Sequence, residues 1–408
     1  GDHRDLPSFP TRRSSDLATA GEVNPFMSNH LNGVSMDIGV YTEWLDRMKR
    51  YGGIANDMRT FDPFAARLAA EDMLVDAGVR LLYHHQFASA SVAGRLIQGV
   101  AFLSKSGLTA ATADIYIDST GDADLAASAG CECFYGSETA GQVQPMTLCF
   151  KVVLDPADIA DARTPGDTFP SSYNALAMLG KYFQQIQDEY KAGQASGRIK
   201  NPRGNVLMFR GVDRNVVHFN STRVINKSPI NGTELSDAEI EARAQLRELL
   251  DLLKEKIPAF KNARIVSVAT QIGIRESRRV SGLAFIMRSD FETCAKFPDG
   301  IARVNYPIDI HSPTGGTTEI AHLPAGEWYD IPYGCIVPKD IDNLLMACRA
   351  VSADHATHSS LRVMPPVCSI GEAAGTAAAM AIEQSVAPKA LDGASVRQRL
   401  IKNGRNLV

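Results

Sequence analysis

Residues 370–383 read Ile370-Gly371-Glu372-Ala373-Ala374-Gly375-Thr376-Ala377-Ala378-Ala379-Met380-Ala381-Ile382-Glu383, and the reading of this stretch decides the fold. It is a helix made almost wholly of small residues. If the helix begins near Ile370, its first turn offers unpaired N–H groups and a partial positive charge to a ligand. Gly371 then lets that ligand approach the backbone, and Gly375 lets the helix pack tightly on a neighbour. An Ala-rich core helix with no ligand accounts for the same residues equally well. Just upstream lie a His- and Ser-rich loop at residues 355–360 and a buried strand at 343–347, Asn-Leu-Leu-Met-Ala. Strand, loop and small-residue helix in that order indicate α/β architecture.

The first third of the chain has the same character. Apolar residues at helical spacing run over residues 40–51, with Gly52 as the stop. Asp62-Pro63 opens a second helix that ends at Gly78, with an apolar stripe of Phe64, Leu68, Leu74 and Ala77. Strands follow at residues 79–83, 87–92 and 96–102, with turns at Gly94-Arg95 and over residues 104–107. Residues 114–118 form a short buried strand that runs into Ser119, Thr120, Gly121 and Asp122. Such a corner presents backbone N–H groups at the carboxyl edge of a sheet, where open α/β folds bind ligands. The plainer reading is a polar turn in which Asp122 caps a helix over residues 123–129.

The middle of the chain differs. It is broken at Asp155-Pro156, Thr164-Pro165 and Asn201-Pro202, and an irregular strand spans residues 215–220. Its one clear helix opens on a Ser236/Glu239 capping box, carries Ile240, Leu246, Leu250, Leu253 and Ile257 on one face, and stops at Pro258. The expected organisation is a discontinuous α/β domain from residues 18–140 and 326–408. An α+β substrate domain, residues 141–325, is inserted in it.

The composition, 45% hydrophobic and 22% charged over 408 residues, is that of a globular protein. A net charge of −4 gives no electrostatic footprint for nucleic acid. No polybasic patch or long apolar run points to a membrane. Seven dispersed cysteines read as reduced thiols in the cytoplasm. Cys131 and Cys133 have no second pair, so no metal is expected. Nothing fixes an oligomeric state. Residues 1–17, GDHRDLPSFPTRRSSDL, resemble a translated sequencing adapter more than a natural N-terminus. They are expected to be a non-native, disordered tail.

Several motifs taken in order carry a resemblance. They are Ala18-Thr19-Ala20-Gly21 with Val23-Asn24-Pro25-Phe26-Met27, the DSTGDADLAASAG run at residues 118–130, and Ile274-Arg275-Glu276-Ser277-Arg278. Tyr306-Pro307-Ile308-Asp309-Ile310-His311, Ile331-Pro332-Tyr333-Gly334, Arg362-Val363-Met364-Pro365 and the GEAAGTAAA helix complete the set. The chain resembles the FAD-dependent oxidoreductase family of the glutathione-reductase-like flavoproteins over nearly all of residues 18–408. The resemblance implies an FAD/NAD(P)-binding Rossmann-like three-layer domain, FAD as cofactor, and hydride transfer between flavin and a small polar organic substrate. It places Thr19, Ala20 and Gly21 beside the flavin and pyrophosphate. Ser119, Thr120, Gly121 and Asp122 fall near the adenosine and pyrophosphate, with Phe87 at the adenine. Gly371, Glu372, Ala373, Ala374, Gly375 and Thr376 meet the isoalloxazine, whose edge becomes negative on reduction.

Two departures stand out. The family opens with a strand, G-x-G-x-x-G and an acidic ribose-binding residue. No G-x-G occurs in this sequence, so the first β-α-β unit is expected to be missing and FAD binding to be impaired. Cys348-Arg349 stands where the family pattern has Gly-Arg, with Arg349 on the cofactor side. The resemblance makes His355, His358 and Arg362 candidates for holding and protonating substrate, because related flavin-dependent reductases of carboxylates place a His and an Arg in that order. His311 and Arg275, from the inserted domain, are candidates to face the flavin; each could equally be an ordinary structural residue. The alternative function is a non-catalytic fragment serving as a binding domain. An NAD-dependent dehydrogenase is disfavoured by the missing glycine motif.

Overall fold

A computed structural model describes residues 7–8, 17–159, 175–213, 215–313, 315 and 317–407. Helix α1 (Val40–Arg50) buries Tyr41, Trp44, Leu45 and Met48, a stripe at helical spacing. Helix α2 (Pro63–Asp76) starts where Asp62 accepts hydrogen bonds from the Phe64 and Ala65 amides, with Pro63 in the first turn. The stripe expected on α2 is not its buried face. Pro63, Ala65, Ala66 and Ala69 are buried, whereas Phe64 and Leu68 are 59% and 47% exposed. The small residues let α2 close on α1, which turns the large ones outward.

Strands β1 (Gln86–Ala93), β2 (Leu96–Ser104) and β3 (Gly107–Ala111) form an antiparallel meander. Strand β4 (Tyr116–Asp118) and the short helix α3 (Asp124–Ser128) follow. Upstream, Arg80–Leu81 pairs in parallel with Pro7–Ser8. The disordered tail expected over residues 1–17 is contradicted where the span is described: Pro7–Ser8 pairs as a strand and the Leu17 carbonyl accepts from the Val23 amide, while residues 1–6 and 9–16 lie outside the described residues.

The inserted region builds its own sheet from β5 (Phe150–Val153), β6 (Met208–Arg210), β7 (Val216–Phe219) and, beyond helix α4 (Gly232–Lys256), β8 (Arg264–Val268). The strand order is β6-β7-β5-β8, all antiparallel. Phe150, Val152, Val217 and Phe219 pack with Leu246, Leu249, Leu250 and Leu253 of α4 in a core separate from that of the main domain. Helix α4 begins a turn earlier than the Ser236 capping box predicts. Asn231 accepts from the Thr233 and Glu234 amides, and Ser236 instead donates to the Gly232 carbonyl. Ile240, expected on the buried face, is 65% exposed.

Strand β9 (Leu344–Met346) returns to the main domain. It pairs in parallel with β4, Leu344 opposite Tyr116 and Met346 opposite Asp118, and so joins two distant stretches in one sheet. Residues 355–360, read as a loop, belong to helix α5 (His355–Leu361), capped by Asp354. The small-residue helix α6 (Met364–Gln384) starts six residues before Ile370. Pro365 and Pro366 fit its first turn, where an N–H is not needed. Gly371 therefore stands inside the helix, and the anion-binding N-terminus expected there does not exist.

Asp37 ties α6 to the N-terminal region. Its buried carboxyl accepts from Ser369 Oγ at 2.5 Å and Asn29 Nδ2 at 2.7 Å. Burial pushes its pKa up to about 6, against the opposing effect of those donors. The folded state therefore holds this proton more tightly than the unfolded chain, where the pKa is about 3.9. The contribution is complete below that value and is lost as pH rises through about 6. Urea midpoints are expected to fall between pH 4 and pH 6.5, by an amount equivalent to about 2–3 kcal/mol from this group. Asp37→Asn should remove that part of the slope.

Candidate functional site

The 118–122 corner is built from the inside. The Asp118 carboxylate, fully buried, accepts from the Thr120 amide at 2.8 Å, Thr120 Oγ at 2.7 Å and the Ala126 amide at 2.9 Å. Burial raises its pKa and these donors counter the rise. Thr120 Oγ in turn accepts from the Asp124 amide, so Thr120 and Asp118, not Asp122, satisfy the first amides of the following helix. Gly121 sits at φ 79°, a left-handed conformation that suits glycine. Asp122, 1% exposed, is turned away from α3. It pairs with Arg349 Nη2 and accepts from Ser277 Oγ at 2.6 Å, while its carbonyl accepts from Arg278 at 3.0 Å.

Asp118, Ser119 and Thr120 line a largely apolar cavity of about 800 Å³ together with Gly371, Glu372, Gly375 and Thr376 of α6. Ala18, Phe87 and Leu74 also border it. The edge of β4 that does not pair with β9 faces this space and takes no strand among the described residues. A Cβ placed on Gly371 or Gly375 would meet nothing within 4 Å, so the glycine face of α6 opens onto the cavity. Glu372 accepts from the Val40 amide at 3.2 Å and fixes the start of α1. Ala373 and Ala374 point the other way, into the core. Gly21 lies with Asp122 and Arg349 along a smaller cleft next to the large one. The Thr19 and Ala20 carbonyls are held by Arg67 at 2.7 Å and the Gln271 amide at 3.3 Å.

The model of the family described as FAD dependent oxidoreductase matches residues 17–400. The chain belongs to that family. FAD is its cofactor, and the Rossmann-like α/β domain carrying an inserted domain is its fold. The solved structures it resembles include a geranylgeranyl bacteriochlorophyll reductase-like protein from Thermoplasma acidophilum, at 11% identity and TM-score 0.40, covering 85% of this chain and 60% of that one. Another is a flavin-dependent brominase triple mutant, at 11% identity and TM-score 0.39, covering 92% and 74%. A third is the L-proline dehydrogenase from P. horikoshii, at 12% identity and TM-score 0.31, covering 85% and 62%. The chain thus spans less than two thirds of the length of the first and third. These likenesses are distant, and the assignment rests on the family model. No curated protein sequence matches the chain.

The residues present fit FAD. The open glycine face of α6 and residues 118–120 of the corner share one cavity, whereas Gly121 and Asp122 lie outside its lining; an extended dinucleotide can lie along α6 and residues 118–120. No helix among the described residues is long and apolar enough to cross a membrane.

The structure divides the catalytic candidates. Arg275, Arg362 and His311 come together at the inserted domain, His311 accepting at Nδ1 from Arg223 at 3.1 Å. Because Arg only donates, the His311 proton sits on Nε2, which lies 3.5 Å from Asp309 Oδ2. Burial and then the arginines hold His311 far below the usual imidazole range. Among the described residues, His355 joins them only through Glu276, whose Oε2 accepts from the Gln144 amide at 3.1 Å. Its Nδ1 lies 2.7 Å from Glu276 Oε1, and Glu276 also pairs with Arg279. His358 is fully buried, with neither ring nitrogen partnered among the described residues, and burial drives its pKa down. Sequence reasoning missed Arg203, Arg223, Gln144 and Asp309. The Asn201-Pro202 break beside Arg203 reads only as a loop, and Asp309 is visible only as a member of the 306–311 motif, with no role marked by its residue type.

Proposed function

We propose that this protein transfers a hydride between a small polar organic substrate and FAD lying between the 118–122 corner and α6. The observation that carries this is the bare glycine face of α6 opening onto the cavity that the corner also lines. FAD supplies the hydride-exchanging centre when bound. Asp118 and Thr120 keep the corner in its bent shape, and the Asp122–Arg349 pair anchors it to the segment after β9. Arg275 and Arg362 provide fixed positive charge on the substrate side, where charge developing in a transition state is best stabilised by preorganised groups. His311, neutral, holds a proton at Nε2 for substrate or Asp309. The seven unpaired cysteines suit a reducing compartment such as the cytoplasm.

The test is anaerobic. The oxidised protein–FAD complex is mixed with small alcohols, amines and hydroxy acids, and the dithionite-reduced complex with the matching carbonyl compounds and enoates. At least one pair is expected to bleach or restore the flavin band stoichiometrically. Bound flavin that responds to dithionite but to none of these compounds contradicts the proposal.

A further inference from the structure

A polar cluster where the inserted sheet meets residues 275–279 is unbalanced in both charge and hydrogen bonding. Arg223 donates Nη2 to His311 and Nη1 to the Gly315 carbonyl at 2.7 Å. Arg362 donates Nη2 to the Asp309 carbonyl at 3.2 Å and to Gln144 Oε1 at 3.3 Å. Arg275 donates Nη1 to the Pro145 carbonyl at 2.6 Å and Nη2 to Asn220 Oδ1 at 3.4 Å. Arg203, 6% exposed, completes the group. The carboxylate among them is Asp309, 3.8 Å from Arg362 Nη2. Among the described residues, four guanidiniums therefore face one carboxylate.

The hydrogen-bond surplus has the same sign. Among the described residues, the buried atoms here without a partner are Arg203 Nε and Nη1, Arg362 Nε and Gln144 Nε2. Every one is a donor, and an unpaired buried donor is costly. Burial, followed by the neighbouring guanidiniums, draws Arg203 down to about 10 and Arg275 to about 9. Among the described residues, what the cluster lacks is an acceptor bearing negative charge.

We propose that this cluster is an anion site that holds the carboxylate of an organic-acid substrate. A carboxylate offers only acceptors and matches the guanidinium fork; a neutral alcohol or amine adds donors where there is already a surplus. The inference rests on the hydride-transfer reading above and gives it a substrate class. Arg275 stands two residues from Ser277, whose hydroxyl donates to Asp122 at 2.6 Å, so one short segment links the cluster to the 118–122 corner.

Calorimetric titration of the full chain with succinate, and with succinamide as the uncharged control, tests the site with and without FAD. Succinate is expected to bind saturably and at least about tenfold more tightly than succinamide. Arg203→Met should weaken succinate about tenfold or more. Among the described residues, that variant breaks no side-chain hydrogen bond, so its Tm should equal or exceed the wild-type value. An Arg203 with only a structural role would instead lower Tm and leave succinate binding unchanged. Equal affinity for succinate and succinamide, or equal succinate affinity in wild type and Arg203→Met, overturns the assignment. FAD binding is scored separately. FAD binding without succinate binding removes the anion site and leaves the flavin reading standing; succinate binding by a chain that takes up no FAD removes the substrate role.

Discussion

Asp122→Ala is expected to destabilise the protein by about 3–5 kcal/mol, the usual cost of removing one partner from a buried ion pair. Asp122 is 1% exposed and Arg349 6% exposed, so neither charge is solvated by water. Arg349 Nε already lacks a partner among the described residues. Without the Asp122 carboxylate, the Arg349 guanidinium and the Ser277 hydroxyl both lose their acceptor. Arg349→Met in the same chain removes the stranded charge, and the double variant should recover most of the loss. Urea unfolding of the three variants measures this directly, and the double-mutant cycle isolates the pair from its neighbours. A single variant within about 1 kcal/mol of wild type would mean that the pair does not anchor the corner.

Much of the fold is legible in the sequence because its elements are short apolar runs between strong turn signals. Residues 343–347 and 114–118 each read as buried strands, and they pair with one another. Asp62-Pro63 marks the start of α2 because Asp accepts from orphan amides and Pro tolerates the first turn. Helix α5 is not legible, because nearly all its sides are buried and most of the buried residues are polar. Ser360 donates to the Tyr306 carbonyl and accepts from Tyr329, which no apolar periodicity reveals. The start of α6 is hidden by Pro365-Pro366, which reads as a break.

The site is legible where backbone shape decides it and obscure where distant segments meet. Gly371, Gly375 and the Thr120-Gly121-Asp122 corner announce themselves by residue type. The role of Asp122 does not, because its partners, Ser277 and Arg349, are 155 and 227 residues away in sequence. Arg203 and Arg223 are single arginines in irregular segments. They approach Arg275 and Arg362 only through the register of the inserted sheet and its seat on the main domain.

Titration of FAD into the full 408-residue chain, followed by flavin fluorescence and compared with Gly371→Leu/Gly375→Leu, is the most direct test of where the cofactor lies. A Cβ at either glycine meets nothing within 4 Å, so leucine side chains there start into open space. Replacing Gly inside a helix gains about 0.5–1 kcal/mol per site, so the variant should be at least as stable as wild type. The new side chains project into the cavity that the 118–122 corner shares. The wild-type chain is expected to bind one FAD with a Kd of about 1 µM or weaker. That weak affinity is expected because no strand among the described residues pairs with the second edge of β4 and no G-x-G occurs in the sequence to form a glycine-turn cradle. The variant should bind at least about thirtyfold more weakly at unchanged or higher Tm, equivalent to about 2 kcal/mol. Equal FAD affinity in the two proteins, or no saturable binding to the wild type, would contradict a cofactor site between α6 and the 118–122 corner.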